Sequence, residues 1–205
     1  MGVDDVGPTI MGWFKEEGMA PEKVDDPNAR FHVRLRYPNQ KRGHIFGIIL
    51  PKNRDLVVVS SFTRVDAGQQ EEMLKHAEGD IESWEEWLHE TRLQLIRSEV
   101  DWQIHVGRPT EERQSGALQA FNLSNPIWFD GLKKHTLMMT LRKIWLTKLA
   151  LIHEIKFAYG RGRGEPGPVD DLAGRKRSST ADSGSVIEFN EQVGFGDEFD
   201  PSEWA

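Results

Sequence analysis

The sequence predicts an α+β domain, an antiparallel sheet with helices packed on one face, followed by a tail of different character. Three observations carry this expectation. Apolar and alternating runs crowd between residues 31 and 62 and are separated by short polar turns, as in an antiparallel meander. Apolar residues then recur at helical spacing on either side of a second pair of strand-like runs. Beyond residue 159 large apolar residues become scarce, and Gly, Pro, Ser and charge take over. Strands clustered apart from helices fit α+β rather than an alternating α/β chain.

The elements follow in the order helix, three strands, helix, two strands, helix. In TIMGWFKEEG, Thr9 is the expected N-cap, Ile10, Trp13 and Phe14 fall on one helical face, and Gly18 is the stop. RFHVRLRY alternates cleanly: Phe31, Val33, Leu35 and Tyr37 on the buried side, His32, Arg34 and Arg36 on the other. The turn PNQKRG leads into HIFGIIL, and PKNRD leads into LVVVSSF. A helical region begins near Asp66. Its strong part has Asp80 as N-cap and a stripe of Ile81, Trp84, Leu88, Thr91 and Leu95, widened by Trp87. DWQIHV alternates again, and GALQAFNLS is the fifth strand, with Pro126 expected to break it. The last helix is expected over 131–158, with Leu137, Leu141, Ile144, Trp145, Ile152 and Ile155 as its apolar stripe. It would be about 40 Å long. Its length, with Met138 and Met139 flanking the stripe, leads us to expect cover from a second copy and hence a homodimer.

Composition narrows the function classes. The 205 residues include no cysteine, which removes disulfides, thiol nucleophiles and Cys-based metal sites, and fits a reducing, cytoplasmic setting. The N-terminus lacks a basic segment followed by an apolar one, so no signal peptide is expected. No run approaches the ~18 apolar residues of a membrane-spanning helix, so no membrane partner is expected either. The net charge of −7 is unevenly placed: the chain has 33 acids and 26 bases. Seven of the acids lie from Asp182 onward, where there is no Lys or Arg, so residues 1–181 are formally neutral. The expected organisation is a domain over 8–158, a flexible Gly/Pro/Arg-rich linker over 159–185, and an acidic aromatic tail over 186–205.

The stretch EKVDDPNARFHVRLRYP (22–38), together with the element order, resembles an archaeal family of uncharacterised domains grouped with the type III secretion chaperone-like fold. The resemblance covers residues 8–158. It implies a domain without enzymatic activity that binds extended client segments along apolar patches, as dimeric secretion chaperones do. The chain departs from those chaperones in having a neutral domain rather than an acidic one. Archaea, moreover, do not use the cognate secretion machinery, so client binding rests on analogy.

No catalytic constellation is present, and neither an enzyme nor a cofactor is expected. His32, His44 and His105 could share the polar sheet face, but no H-x-H or H-E-x-x-H spacing supports a metal site. Glu86 and His89 make half of a di-iron signature whose other half is missing, so a solvated acidic helix face is expected there. GRGRG (160–164) resembles a phosphate loop only in its glycines, since no strand precedes it and no helix is expected to follow. With GRKR it could serve as a nucleic-acid arm through Arg161, Arg163, Arg175, Lys176 and Arg177; a solvated linker is the simpler reading.

Two candidate partner-binding features remain. One is the basic strand face of Arg30, Arg34 and Arg36, joined in the turn by Lys41 and Arg42. The other is the tail, where Phe189, Phe195, Phe199 and Trp204 sit among acids as possible anchors. The expected function is a protein-binding or chaperone-like domain that holds an extended peptide segment, with its own tail as tethered ligand. The alternative is a nucleic-acid-associated factor.

Overall fold

The structure, a computed structural model, describes residues 2–40, 43–110 and 114–170. The helices are α1 (Val3–Glu16), α2 (Ala67–Gly79), α3 (Ile81–Arg97) and α4 (Lys134–Tyr159). The strands are β1 (Glu22–Lys23), β2 (Ala29–Tyr37), β3 (His44–Pro51), β4 (Leu56–Arg64), β5 (Asp101–Val106) and β6 (Leu118–Trp128). The strands form one antiparallel sheet in the order β1-β2-β3-β4-β6-β5. The mixed α+β class is as the sequence predicts, but the element order is not: four strands, not three, precede the middle helices, and those helices are two.

Each difference has a local cause. α1 begins at Val3 with Gly2 as its cap, so Thr9 lies inside it and Pro8 is tolerated within the helix. What holds the extra turn is Val6, fully buried in line with Ile10 and Phe14. Gly18, at φ +67°, ends the helix as anticipated, with the Met19 N–H reaching back to the Phe14 carbonyl at 2.8 Å. β1 is two residues long and has no apolar signature, yet it pairs Glu22 with Arg34 and Lys23 with Val33 at the sheet edge. The middle helical region breaks at Asp80, which is extended at φ −152° and ψ 93°. It ends α2 and caps α3, accepting the Ser83 N–H at 3.1 Å.

β6 runs on through Pro126, which pairs with Val58. The pairing with β5 stops at Ser124, so beyond it one side of β6 is an edge, where a strand proline loses no ladder bond. α4 begins three residues later than expected. Leu137, Leu141, Ile144 and Ile155 are buried as predicted; Trp145 and Ile152 are only partly so, and Leu151 and Lys148 take their places inward.

The core lies between the four helices and one face of the sheet. Val33 and Leu35 of β2, Phe46, Ile48 and Leu50 of β3, Val57 and Val59 of β4, and Phe121, Leu123 and Ile127 of β6 pack with Ile10 and Phe14 of α1, Trp84 and Leu95 of α3, and Leu141 and Ile144 of α4. Each such side chain contributes roughly 1.5–3 kcal/mol on burial. An aromatic cluster ties the middle helices to α4. Trp84 stacks on Trp87 at 5.3 Å, and Tyr159 meets Trp87 edge-on at 5.1 Å. His76 bridges the Tyr159 hydroxyl at 2.9 Å and the Ser83 hydroxyl at 3.1 Å.

Candidate binding surface

The alternation that buries one side of the sheet builds a second apolar layer on the other. Ile49, Leu56, Val58 and Ala120 are buried, yet none belongs to the helix-packed core. Their chain neighbours, Ile48 and Leu50 in β3, Val57 and Val59 in β4 and Phe121 in β6, belong to the helix-packed cluster, so these four point away. Phe62 and Pro126 share their face and are half-buried, and Trp128 beside them is 56% exposed. The buried helix residues belong to the opposite cluster, so among the described residues this face has no helical layer.

The basic row of β2 borders this layer, and the structure tempers its charge. Arg34 meets Glu22 of β1 through Nε at 3.0 Å. His32 meets Asp26 at 3.0 Å, and Arg36 donates to the Gly43 carbonyl at 3.3 Å. Arg30 is the extra residue of a bulge between Ala29 and Phe31 and is exposed. A cation the sequence reading passed over, Arg64, lies at the end of β4 with its Nε buried and without a hydrogen-bond partner.

Residues 160–170 fall within the segment read as a linker, and here they form a strap along the domain. The carboxylate of Asp66 organises its first half. It accepts the N–H groups of Arg163, Gly164 and Glu165 at 2.8, 2.7 and 2.9 Å while also capping α2 through the Gly68 N–H at 2.8 Å. Gly160, Gly162 and Gly164 all have positive φ, at 77°, 74° and 85°. A Cβ at Gly162 would lie 2.4 Å from the Asp66 carboxyl carbon. GRGRG therefore does form the anion-cradling array of backbone N–H groups its glycines hinted at, and the anion is the protein's own carboxylate. Burial would raise the Asp66 pKa, but the bonds from Arg163, Gly68, Gly164 and Glu165 together hold it below the usual range.

The strap's second half lies against α2 and the ends of β5 and β6. Gln70 donates to the carbonyls of Val65 and Pro168, both at 3.2 Å, and Gly167 donates to Val65 at 2.8 Å. Val169 is buried. Asp170 accepts from the Arg108 N–H at 3.0 Å and from Gln119 at 3.0 Å, and these bonds lower its pKa. Asp170 therefore lies at the sheet edge where β5 ends and β6 begins.

One cation stands on the covered face. Lys148 of α4 is 3% exposed, and its ammonium donates to the Ser61 hydroxyl at 2.8 Å and less closely to the Phe62 carbonyl at 3.4 Å. The Ser61 hydroxyl in turn donates to the Ile45 carbonyl at 2.7 Å. No carboxylate pairs with Lys148 among the described residues, and burial lowers its pKa to about 7. His44, on the same face, is pushed down first by burial and then by Lys148 and Lys156.

The three histidines weighed for a metal do not converge. His32 and His105 lie on the open face on β2 and β5, with three strands between, and His44 faces the helices. Among the described residues no group of three His, Cys, Asp or Glu could hold a metal ion. Glu86 and His89 are both exposed on α3. Of the nucleic-acid candidates, Arg163 is held by both oxygens of Glu71, and Arg161 is exposed. Arg175, Lys176 and Arg177 lie outside the described residues, as do Lys41, Arg42, Phe189, Phe195, Phe199 and Trp204. The sequence reading missed the apolar residues of the open face. Their signal was present: GIIL and LVVV are continuous apolar runs, the mark of strands with two apolar faces.

An antiparallel sheet with one helix-packed face and a second apolar face that carries no helical layer among the described residues defines a small α+β domain. The chain belongs to the family described as "Uncharacterized conserved protein (DUF2299)", whose model matches residues 7–155. Among solved structures it is similar to an uncharacterized protein from Methanothermobacter thermautotrophicus, at 28% identity and a TM-score of 0.64, over 75% of this chain and 98% of that one. It also aligns with YbjN from E. coli at 10% identity and a TM-score of 0.41, over 72% and 92% of the two chains. No curated protein matches it. Among the described residues no helix is long and apolar enough to cross a membrane.

Proposed function

We propose that this protein is a non-enzymatic binding module whose open sheet face holds an extended acidic, aromatic segment, with its own residues 186–205 as the tethered ligand. The observation that carries this reading is the second apolar layer. Ile49, Val58, Phe62, Pro126 and Trp128 lie on a face that no described helix covers, with Arg34 and Arg36 along one border. Aromatic anchors would bury against the apolar side chains, and the surrounding acids would be drawn to the arginines. The resemblance to secretion chaperones, which hold extended segments of clients, supports the same reading.

Geometry permits self-docking. Asp170 sits at the edge where β5 ends, and β2 lies four strands away, about 19 Å at ordinary strand spacing. The 15 residues from 171 to 185 can span up to about 50 Å. Hydrogen exchange of the full chain against a chain lacking 182–205 tests the proposal. Deletion should raise exchange over residues 30–62, and a synthetic 186–205 peptide should restore protection in a salt-sensitive way. Equal protection with and without the tail, and no effect of the peptide, would refute it.

A further inference from the structure

The outer surface of α4 carries an apolar stripe that the domain leaves uncovered. Met139, Leu146 and Phe157 are 44, 46 and 90% exposed, and Ala150 between them is exposed too. At ~100° per residue these four positions fall within about 20° of one line, on the side of the helix opposite Leu137, Ile144 and Ile155. The stripe runs for about 27 Å, far more than a scattered exposed residue needs.

The stripe is symmetric about Lys148. Met139 lies nine residues before it and Phe157 nine after; Leu146 lies two before and Ala150 two after. Two copies of α4 laid antiparallel and centred there would set each Met139 against the partner's Phe157 and each Leu146 against the partner's Ala150. Lys143 and Glu154 flank the stripe on the same side, five residues before and six after the centre, so each Lys143 would come level with the partner's Glu154. An isologous contact needs self-complementarity, and the stripe supplies large apolar against apolar, small against large and, along the Lys143 and Glu154 flank, opposite charges in register. A different partner protein would not require it. The end of α3 widens the patch. Glu99 meets Lys143 at 3.2 Å, and Ile96, 58% exposed, lies three residues before Glu99.

We propose that α4 is the interface of a homodimer, with the two helices antiparallel and crossing near Lys148. One helix pair is at the small end of specific interfaces, so the dimer should form at micromolar concentrations rather than be permanent. The contact is independent of the open sheet face, and of whatever binds there.

The absence of cysteine from the chain makes the test direct, because any introduced thiol is the only one. Sedimentation of the full chain from about 5 to 500 μM should show a reversible dimer, in the range where a modest interface associates. Leu146→Glu with Phe157→Glu should weaken it at least ~100-fold, with circular dichroism unchanged and melting nearly unchanged at concentrations where the wild-type chain is monomeric. Ala150→Cys alone should form a disulfide-linked or short-linker dimer, since the two copies of that position lie about 6 Å apart along the axis. Met139→Cys alone should not, with its copies about 27 Å apart. A mixture of Met139→Cys and a tagged Phe157→Cys chain should give the mixed cross-linked species. A monomer across the whole range, a dimer indifferent to both glutamates, or self-linking of Met139→Cys without the mixed product would each overturn the proposal.

Discussion

The two faces of the sheet are made by the same strands, often by adjacent residues, yet they meet different surroundings. On the covered face Phe46, Ile48 and Val59 lie under helices, and the cation that reaches them, Lys148, has lost its solvent and found no counter-ion among the described residues. On the open face Ile49 and Val58 are equally apolar, but the cations beside them keep partners and water: Arg34 meets Glu22, and Arg36 meets the Gly43 carbonyl. The lesson is that apolar side chains alone do not make a core. The helices on one side turn that surface into the main core, while the same residue types on the other side form a second apolar layer with no described helix against it.

The largest effect should come from truncating matched aromatic residues on the two faces. Phe46→Ala on the covered face should cost about 3–5 kcal/mol, the usual result of emptying a fully buried aromatic site. Phe62→Ala on the open face, half-buried, should cost distinctly less in a denaturant titration of the truncated chain. Equal losses would show that the open face is packed like a core.

A change of opposite sign is expected at Lys148. Lys148→Met keeps the aliphatic volume and removes a poorly paired buried charge, and Ser61 remains bonded to the Ile45 carbonyl. It should stabilise the fold by about 1–4 kcal/mol at pH 7 or below. The folded chain holds Lys148 near pH 7, below its ordinary 10.5, so between those values the unfolded chain binds more protons. Wild-type stability should therefore rise as pH climbs from about 7 to 10, and the Met variant should lack this rise. A variant less stable than wild type at pH 7 would mean that the amine's bonds to Ser61 and Phe62 outweigh its desolvation.

The smallest effect should follow from Asp66→Ala, which removes a helix cap and the anchor of the strap together. A loss of about 0.5–2 kcal/mol is expected for the cap. The clearer signal should be protease cleavage within 160–170, where the N–H groups of Arg163, Gly164 and Glu165 lose their acceptor. Because these bonds lower the carboxyl's pKa, its stabilising contribution should be intact above about pH 4 and fade on further acidification. Unchanged protease resistance would place the strap's attachment at Gln70 and Asp170 instead.

Much of the fold was legible because its signals are local. The alternation of RFHVRLRY, the stripe of Trp84, Leu88, Thr91 and Leu95, and the stop at Gly18 depend on near neighbours only. The misreadings were pairings between distant residues. β1 exists because Arg34 and Val33 offer it an edge, and β6 passes through Pro126 because β5 has ended beside it. Thr9 had the chemistry of a cap but not the position, since Val6 repays an earlier start with burial. Of the candidate surface, the arginine row could be read directly, whereas its partial neutralisation by Glu22 could not.

By itself the sequence determined the α+β class, the neutral domain with its acidic end, and the absence of thiol chemistry, because composition and short-range periodicity are enough for these. Only the tertiary structure decided that GRGRG cradles Asp66 from nearly a hundred residues away, that Lys148 is buried without a carboxylate, and that one apolar sheet face has no helical layer among the described residues. These depend on which elements come to lie against one another, and the energy of such contacts is not written into any local stretch of chain.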